Sequence, residues 1–177
     1  QGKGLGNQFL NDLMTADCFI HVLDSSGLTN EEGKPTQNYD VTKDILFLEN
    51  EIDRWFYGII AKEWKSLVKK IQHQENSLKD LSEKFSGLKI NEEMVKQTII
   101  NLGLDEKFSS WSENDLFKFV VQLRRISKPM IIAVNKSDTQ KAEKNIELLK
   151  KIFSHLTVIP CSAESELALR EAALDGL

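Results

Sequence analysis

The sequence predicts an α/β fold with parallel strands and a long α-helical insertion. Three short apolar segments rich in β-branched residues lie at 18–24, 130–135 and 156–162. They lack polar alternation, which is typical of parallel strands covered on both faces. An amphipathic segment at 141–153 separates the last two strands and completes a βαβ unit. Roughly ninety residues of mainly helical pattern separate the first two strands, and a connection of that length indicates an inserted subdomain.

These patterns divide the chain into two predicted parts. We expect 40–128 to form the α-helical insertion, and 1–39 together with 129–177 to form the α/β domain. Within the insertion, the strongly polar segment at 71–88 predicts either a pair of exposed helices or a mobile turn.

Capping residues predict where the helices of the insertion begin and end. Asp40 can cap a long helix, and Asn91 can cap a second one that Gly103 closes. Ser112 and Asp115 have the spacing of a capping box for a third helix. The insertion is therefore predicted to consist of several well-delimited helices.

Composition narrows the classes of protein to consider. The formal net charge of −4 over 177 residues argues against binding nucleic acid through bulk phosphate contacts. No stretch approaches the ~20 apolar residues that a membrane span needs, so we predict no membrane association and a cytoplasmic location. Cys18 and Cys161 lie within apolar runs and are expected to be buried free thiols, as in a reducing compartment.

Polar residues follow the second strand directly, in the pattern Asn-Lys-Ser-Asp. Ligands of open parallel sheets bind beyond the carboxyl ends of the strands. The carboxylate of Asp138 can accept from the ring N–H and the exocyclic amine of guanine, a pair of donors that adenine does not offer. The amide of Asn135 can donate to the purine N7 and join neighbouring loops, and the stem of Lys136 can lie along the base. This is the guanine-reading motif of GTP-binding domains.

A second loop strengthens that interpretation. Ser162 and Ala163 follow the third strand, and Ser-Ala at this place is the usual partner loop, whose backbone N–H groups reach the guanine carbonyl. Three fixed letters occur by chance about once in several thousand positions. Here strand, motif, helix and second loop follow one another in the required order, which makes chance a poor explanation.

The first residues of the chain carry a family resemblance. The run "GLGNQFL" followed by "ADCFIHVLDSSG" is similar to the segment after the Asp-x-x-Gly motif in the Obg family of GTPases, where Gly2, Gly4 and Gly6 would form the tail of switch II. The long helical insertion, "NKSD" and the ending "SAESELALREAALDGL" resemble the YchF-like branch, particularly its archaeal members. The most specific parts of the resemblance are 1–27, 130–138 and 158–177.

The resemblance implies a partial G domain of the P-loop NTPase type. It implies binding of GTP and GDP with Mg²⁺, slow GTP hydrolysis as a conformational switch, and a role in translation or on the ribosome. None of the 177 residues matches a phosphate loop, so catalytic residues and metal ligands are expected outside this chain, which alone is expected to be inactive. Many YchF proteins have an altered base-reading motif and prefer ATP, whereas this chain has an intact one.

Two other functions remain open. The chain can be a protein-interaction module with an incomplete nucleotide site, or part of an ATPase. A basic face on the insertion is expected to be solvated, with an RNA- or ribosome-facing patch as the alternative; its residues are Lys62, Lys65, Lys69, Lys70, Arg124, Arg125 and Lys128. His21 is predicted to be a hydrogen-bonded core residue, and Asp24 a turn cap. The sequence leaves the oligomeric state open.

Overall fold

The computed structural model describes residues 13–71 and 76–176, which divide into two compact units. The helical unit comprises the described residues of 1–18 and 49–129, and the sheet unit those of 19–48 and 130–177. The division falls within a long helix, after Leu48. The domain boundaries predicted at 39/40 and 128/129 stay a prediction.

The sheet unit contains a three-stranded parallel sheet, which confirms the predicted α/β fold. The strands are β1 (Phe19–Asp24), β2 (Met130–Asn135) and β3 (Thr157–Pro160), in the order β1-β2-β3. In register, Asp24 lies opposite Asn135, the last residues of β1 and β2. The third strand ends before the predicted 162, because Ser162 caps the helix that follows.

The two faces of this sheet differ in burial. Leu23, Ile132 and Val134 are buried, while Ile20 and Val22 on the opposite face of β1 are 66% and 64% exposed. Side chains alternate between the two faces of a strand. One face of the sheet is therefore buried, and the other face is exposed at β1. Within the described residues, the prediction that the strands are covered on both faces is wrong for β1 and also for β3, which has no buried residue.

The described residues form six α-helices, several of which begin and end where their caps predict. Asp40 accepts from the backbone N–H of Thr42 at the start of the first helix, as predicted. Asn91 and Gly103 bound the third helix, and Ser112 and Asp115 form a capping box for the fourth. The helices are α1 (Thr42–Ile71), α2 (Ser77–Lys84), α3 (Glu92–Leu102), α4 (Glu113–Ser127), α5 (Ala142–Ile152) and α6 (Ala163–Leu174).

The polar segment at 71–88 packs more closely than expected. It forms helix α2 and a 3₁₀ turn at Ser86–Leu88, and Leu81, Phe85 and Leu88 join the core of the helical unit. The prediction of exposed helices or a mobile turn is therefore wrong for 76–88. One apolar anchor on the helix and two directly after it suffice to pack this mostly polar segment against the core.

Aromatic side chains form much of the core of the helical unit. Trp64 stacks on Trp111, with ring centroids 5.4 Å apart, and both contact Phe108 edge-on. Phe119 is fully buried and packs against Trp111 with a centroid distance of 4.9 Å. Such pairs contribute about 0.5–1.5 kcal/mol beyond their buried area.

Two residues of the predicted basic face are buried instead. Arg124 is 1% exposed and donates to Asp53 and Glu49 of α1 at 2.6 and 3.2 Å. Lys128 is fully buried; its ammonium donates to the carbonyls of Met14 and Ala16, and burial lowers its pKa. These two residues hold the helical unit together and do not contribute to a solvated or RNA-facing patch.

Two smaller predictions can be compared with the structure. Cys18 is exposed, contrary to the expectation of a buried thiol, and Cys161 is partly buried; both are free. None of the described helices is long and apolar enough to cross a membrane.

Candidate functional site

The carboxyl edge of the sheet brings the two predicted base-reading loops together. The side-chain Oδ1 of Asn135 accepts from the backbone N–H of Ala163 at 2.9 Å. The N–H of Ser137 donates to the carbonyl of Cys161 at 3.1 Å. Both contacts join the loop after β2 to the loop after β3, as parallel neighbours require. The proposed role of Asn135 in joining loops therefore has a geometric basis.

The Ala163 amide has a different partner from the one expected. The sequence predicts that backbone N–H groups of Ser162 and Ala163 reach a guanine carbonyl, whereas in the structure the Ala163 N–H donates to Asn135. Ser162 caps α6: its hydroxyl accepts from the N–H of Ser165 and donates to the Ser165 hydroxyl. A ligand carbonyl would have to share or replace the Asn135 acceptor.

Lys136 has an uncommon backbone conformation. Its φ is +61°, in the left-handed region, where a residue with a side chain pays roughly 1–2 kcal/mol. Its ammonium lies 2.7 Å from Oδ2 of Asp24, in an ion pair in which the Lys136 side chain is half exposed. Strained residues concentrate at ligand sites.

The carboxylate of Asp24 lies at the centre of a hydrogen-bond network. Oδ1 accepts from the backbone N–H and the hydroxyl of Ser26 at 2.9 and 2.6 Å, and Oδ2 from the hydroxyl of Thr29 at 2.7 Å. Partial burial acts to raise the pKa of Asp24, but the hydrogen bonds from Lys136, Ser26 and Thr29 outweigh it and hold the pKa well below its usual range. These hydrogen bonds therefore favour the ionised form of Asp24.

Asp138 differs from Asp24 in having its carboxylate free. It is exposed, and it has no hydrogen bond or ion pair with any residue that the structure describes. The turn that carries it is fixed by Thr139, whose backbone N–H and hydroxyl both donate to the carbonyl of Lys136. A free carboxylate on a fixed turn is suited to accept from a ligand.

Sequence reasoning missed two supports of this edge. Gly27 has φ +64°, and a Cβ there would lie 3.1 Å from the Tyr39 carbonyl oxygen, so the turn after β1 requires glycine. The side chain of Asn145 on α5 donates to the Ser25 carbonyl at 2.8 Å. The Gly in "DSSG" was a local signal for the turn; the Asn145 contact had none.

Two further expectations concern the tail of switch II and metal binding. Gly2, Gly4 and Gly6, predicted as the tail of switch II, lie outside the described residues. Within the described part of the chain, no three His, Cys, Asp or Glu side chains are grouped so that they could hold a metal ion.

Comparisons with known proteins find similarity to Obg-like and GTP-binding proteins. Residues 133–177 match the family model of the Obg-like GTPase YGR210-like, G4 motif-containing domain. A GTP-binding protein of Methanocaldococcus jannaschii is 50% identical over 177 residues, which are 100% of this chain and 44% of that protein. Obg-like ATPase 1 of rice is 26% identical, over 98% of this chain and 44% of that protein.

A solved structure shares the fold. The crystal structure of a GTP binding protein from Pyrococcus horikoshii has a TM-score of 0.83 and 42% identity, and covers 93% of this chain and 48% of that one. The chain thus spans less than half the length of the relatives it matches. The predicted resemblance to the Obg family of GTPases is confirmed, and residues 133–177 are similar to the YGR210-like group of Obg-like GTPases. The assignment to the YchF-like branch stays a prediction.

Proposed function

We propose that this chain carries the base-reading part of a guanine-nucleotide site. The observation that carries the proposal is the hydrogen bond from the Ala163 N–H to Asn135, which brings the second loop to the Asn-Lys-Ser-Asp turn. With both loops at one edge, the exposed carboxylate of Asp138 and the stem of Lys136 are available to the same ligand.

Each residue has a chemical role in this proposal. Asp138 accepts from the ring N–H and the exocyclic amine of guanine, and this pair of charge-assisted bonds distinguishes guanine from adenine. Asn135 joins the loops and offers its amide N–H₂ to N7. Lys136 covers one face of the base with its methylene stem. Ser162 and Ala163 complete the pocket through their backbone.

For the whole protein we propose a switch that binds GTP and GDP with Mg²⁺ and hydrolyses GTP slowly. A role on the ribosome is the proposed setting, and the exposed lysines of the insertion, such as Lys62, Lys65 and Lys69, are the proposed contact. Among the described residues no three His, Cys, Asp or Glu side chains are grouped so that they could hold a metal ion, and we propose that other parts of the protein hold the Mg²⁺. In the rest of the mechanism, the residues of this chain select the base and orient it.

Binding of GDP against ADP tests the proposal. Without a phosphate loop, we expect the chain to bind GDP more weakly than about 100 μM, which titration followed by ¹H–¹⁵N spectra measures. Asp138→Asn should lower GDP affinity about tenfold or more, because hydrogen bonds to a charged group contribute about 1.5–3 kcal/mol. The variant should gain affinity for xanthosine diphosphate, whose carbonyl can accept from the new amide.

A matched control and two contrary results make the experiment decisive. Asp175→Asn removes a carboxylate at the end of α6 in the same unit and should leave GDP binding unchanged. Stronger binding of ADP than of GDP by the unsubstituted chain would favour the ATPase alternative, which the rice relative supports. No binding of either nucleotide at millimolar concentration would favour the interaction module.

A further inference from the structure

We propose that Asp24 is a positioning residue for the base site, which holds the Lys136 ammonium so that the Lys136 stem forms a fixed wall for a purine. The inference rests on the proposed function and deepens it. It assigns to the end of β1 a part in nucleotide recognition that neither the Asn-Lys-Ser-Asp motif nor the Ser-Ala loop contains.

Both ends of Lys136 are held in the structure. The backbone is fixed in the left-handed region by the turn to Thr139, and the ammonium is fixed by Asp24 at 2.7 Å. A lysine side chain free at its end loses about 2 kcal/mol of rotamer entropy when it is ordered. Fixing it before a ligand arrives reduces the part of that cost that binding must meet.

Asp24 is itself suited to orient another residue and unsuited to touch the ligand. An ionised carboxylate has about four acceptor sites, and Asp24 accepts from the Ser26 N–H, the Ser26 and Thr29 hydroxyls, and Lys136. A ligand donor would have to displace one of these four. The register supports the same conclusion, since Asp24 lies opposite Asn135 and so beside the base-reading turn.

A role in stability alone does not account for the pair. Ion pairs at this degree of exposure contribute about 0–1 kcal/mol, and the Lys136 side chain is 49% exposed. The turn after β1 is held by the bonds from Ser26, which an asparagine oxygen can still accept. The contact that needs the charge is the one to Lys136.

The substitution Asp24→Asn tests the assignment, because it keeps the shape of the side chain and removes the charge. The stem of Lys136 packs on the flat face of any purine. We therefore expect a roughly twofold to fivefold loss of affinity for GDP and for ADP alike, in the range of one partly exposed ion pair. Asp138→Asn, in contrast, should lower GDP affinity and leave ADP affinity unchanged.

A second variant shows whether Asp24 acts through Lys136. Lys136→Met keeps an apolar stem without the ammonium, and in that background Asp24→Asn should have no further effect on nucleotide binding. Asp40→Asn is the matched control: Asp40 also accepts from a backbone N–H and a hydroxyl two residues on, but no lysine ammonium donates to it in the described structure. It should leave affinity unchanged.

The ¹⁵N spectrum of the lysine ammonium groups supplies a readout that needs no nucleotide. The Lys136 ammonium should give a protected signal in the unsubstituted chain, and Asp24→Asn should abolish it. The inference is overturned if that signal survives the substitution, or if Asp24→Asn acts equally with and without Lys136→Met. If the unsubstituted chain binds neither nucleotide, the proposed function fails, and the ammonium signal still decides whether Asp24 orders Lys136.

Discussion

The helical unit and the sheet unit use charged side chains in opposite ways. In the helical unit, Arg124 is 1% exposed and bonds to two carboxylates of α1. In the sheet unit, Lys136 and Asp138 are exposed just after the end of β2. The carboxylate of Asp138 has no partner among the described residues. Removing one partner of a buried ion pair is costly because it leaves an uncompensated charge in the interior. Exposed charged groups, in contrast, can exchange their partners for a ligand.

The same contrast holds for apolar side chains. The large core cluster, which includes Phe56, Ile60 and Phe119, belongs entirely to the helical unit. In the sheet unit, α6 has no buried residue, and Leu169 on it is 69% exposed. Substitutions in the helical unit should therefore change stability, and those at the edge of the sheet should change binding.

Phe119→Ala should give the largest effect, because it removes a fully buried ring that packs on Trp64 and Trp111. Large-to-small substitutions of this kind cost about 3–5 kcal/mol. Trp55, Trp64 and Trp111 all lie in the helical unit, so urea unfolding followed by tryptophan fluorescence measures the loss in that unit.

Leu169→Ala is the matched substitution in the sheet unit. Exposed positions of this kind change the free energy of unfolding by about 0.5 kcal/mol or less. Equal losses for the two variants would contradict the contrast in apolar packing.

Arg124→Met should give the next effect. It keeps most of the side-chain volume and removes the guanidinium that donates to Asp53 and Glu49. Breaking a buried pair costs about 3–5 kcal/mol. We expect a loss at the lower end of that range, because Arg125 lies 3.6 Å from Glu49 and can compensate in part. Urea unfolding followed by tryptophan fluorescence measures this loss in the free energy of unfolding.

Arg170→Met is the control, since Arg170 on α6 pairs with Glu166 at a similar distance but is 75% exposed. It should produce no measurable change in the unfolding of either unit. A comparable loss for both arginine variants would show that the burial of Arg124 does not matter.

The parts of the fold that follow local rules could be predicted from the sequence. The strands carry short apolar runs, and the caps at Asn91 and Ser112 depend on residues three positions apart. The turn that carries Asn-Lys-Ser-Asp could be predicted because its motif is contiguous. Each of these signals lies within a few residues of the element that it predicts.

The parts that were missed depend on distant partners. Arg124 looked solvated because its acidic partners, Glu49 and Asp53, lie 75 and 71 residues away on α1. The link between Asp24 and Lys136 spans 112 positions. No periodicity within one element encodes such a pair, although the end-of-strand position of Asp24 beside a second polar strand end was an available hint.

The smallest expected effect concerns the pH dependence of stability and depends on His21, a partly buried polar residue of the sheet unit. It is half-buried on β1, and its Nδ1 has no hydrogen-bond partner among the described residues, so the predicted hydrogen-bonded core role is wrong for that atom. Burial lowers the pKa of His21 below 6.5, and the carboxylate of Asp44 opposes the shift without cancelling it.

The sign of the effect follows from proton binding. The unfolded state takes up a proton near pH 6.5, whereas the folded state resists it, so the unfolded state binds more protons as the pH falls. The stability contribution is full above the unfolded pKa and is lost as the pH falls toward the folded one. Hydrogen exchange at the amides of β2 should show a lower opening free energy at about pH 5.5 than at about pH 7.5.

His21→Gln should flatten this dependence, because it removes the imidazole whose pKa burial lowers. Tryptophan fluorescence reports on the helical unit, so it should show no change in pH dependence in the His21 variant. If β2 loses stability equally at low pH with and without His21, the buried imidazole is not the group that titrates. In that case the pH dependence of the sheet unit would come from its exposed charged side chains. Such side chains are what distinguishes the sheet unit from the helical unit.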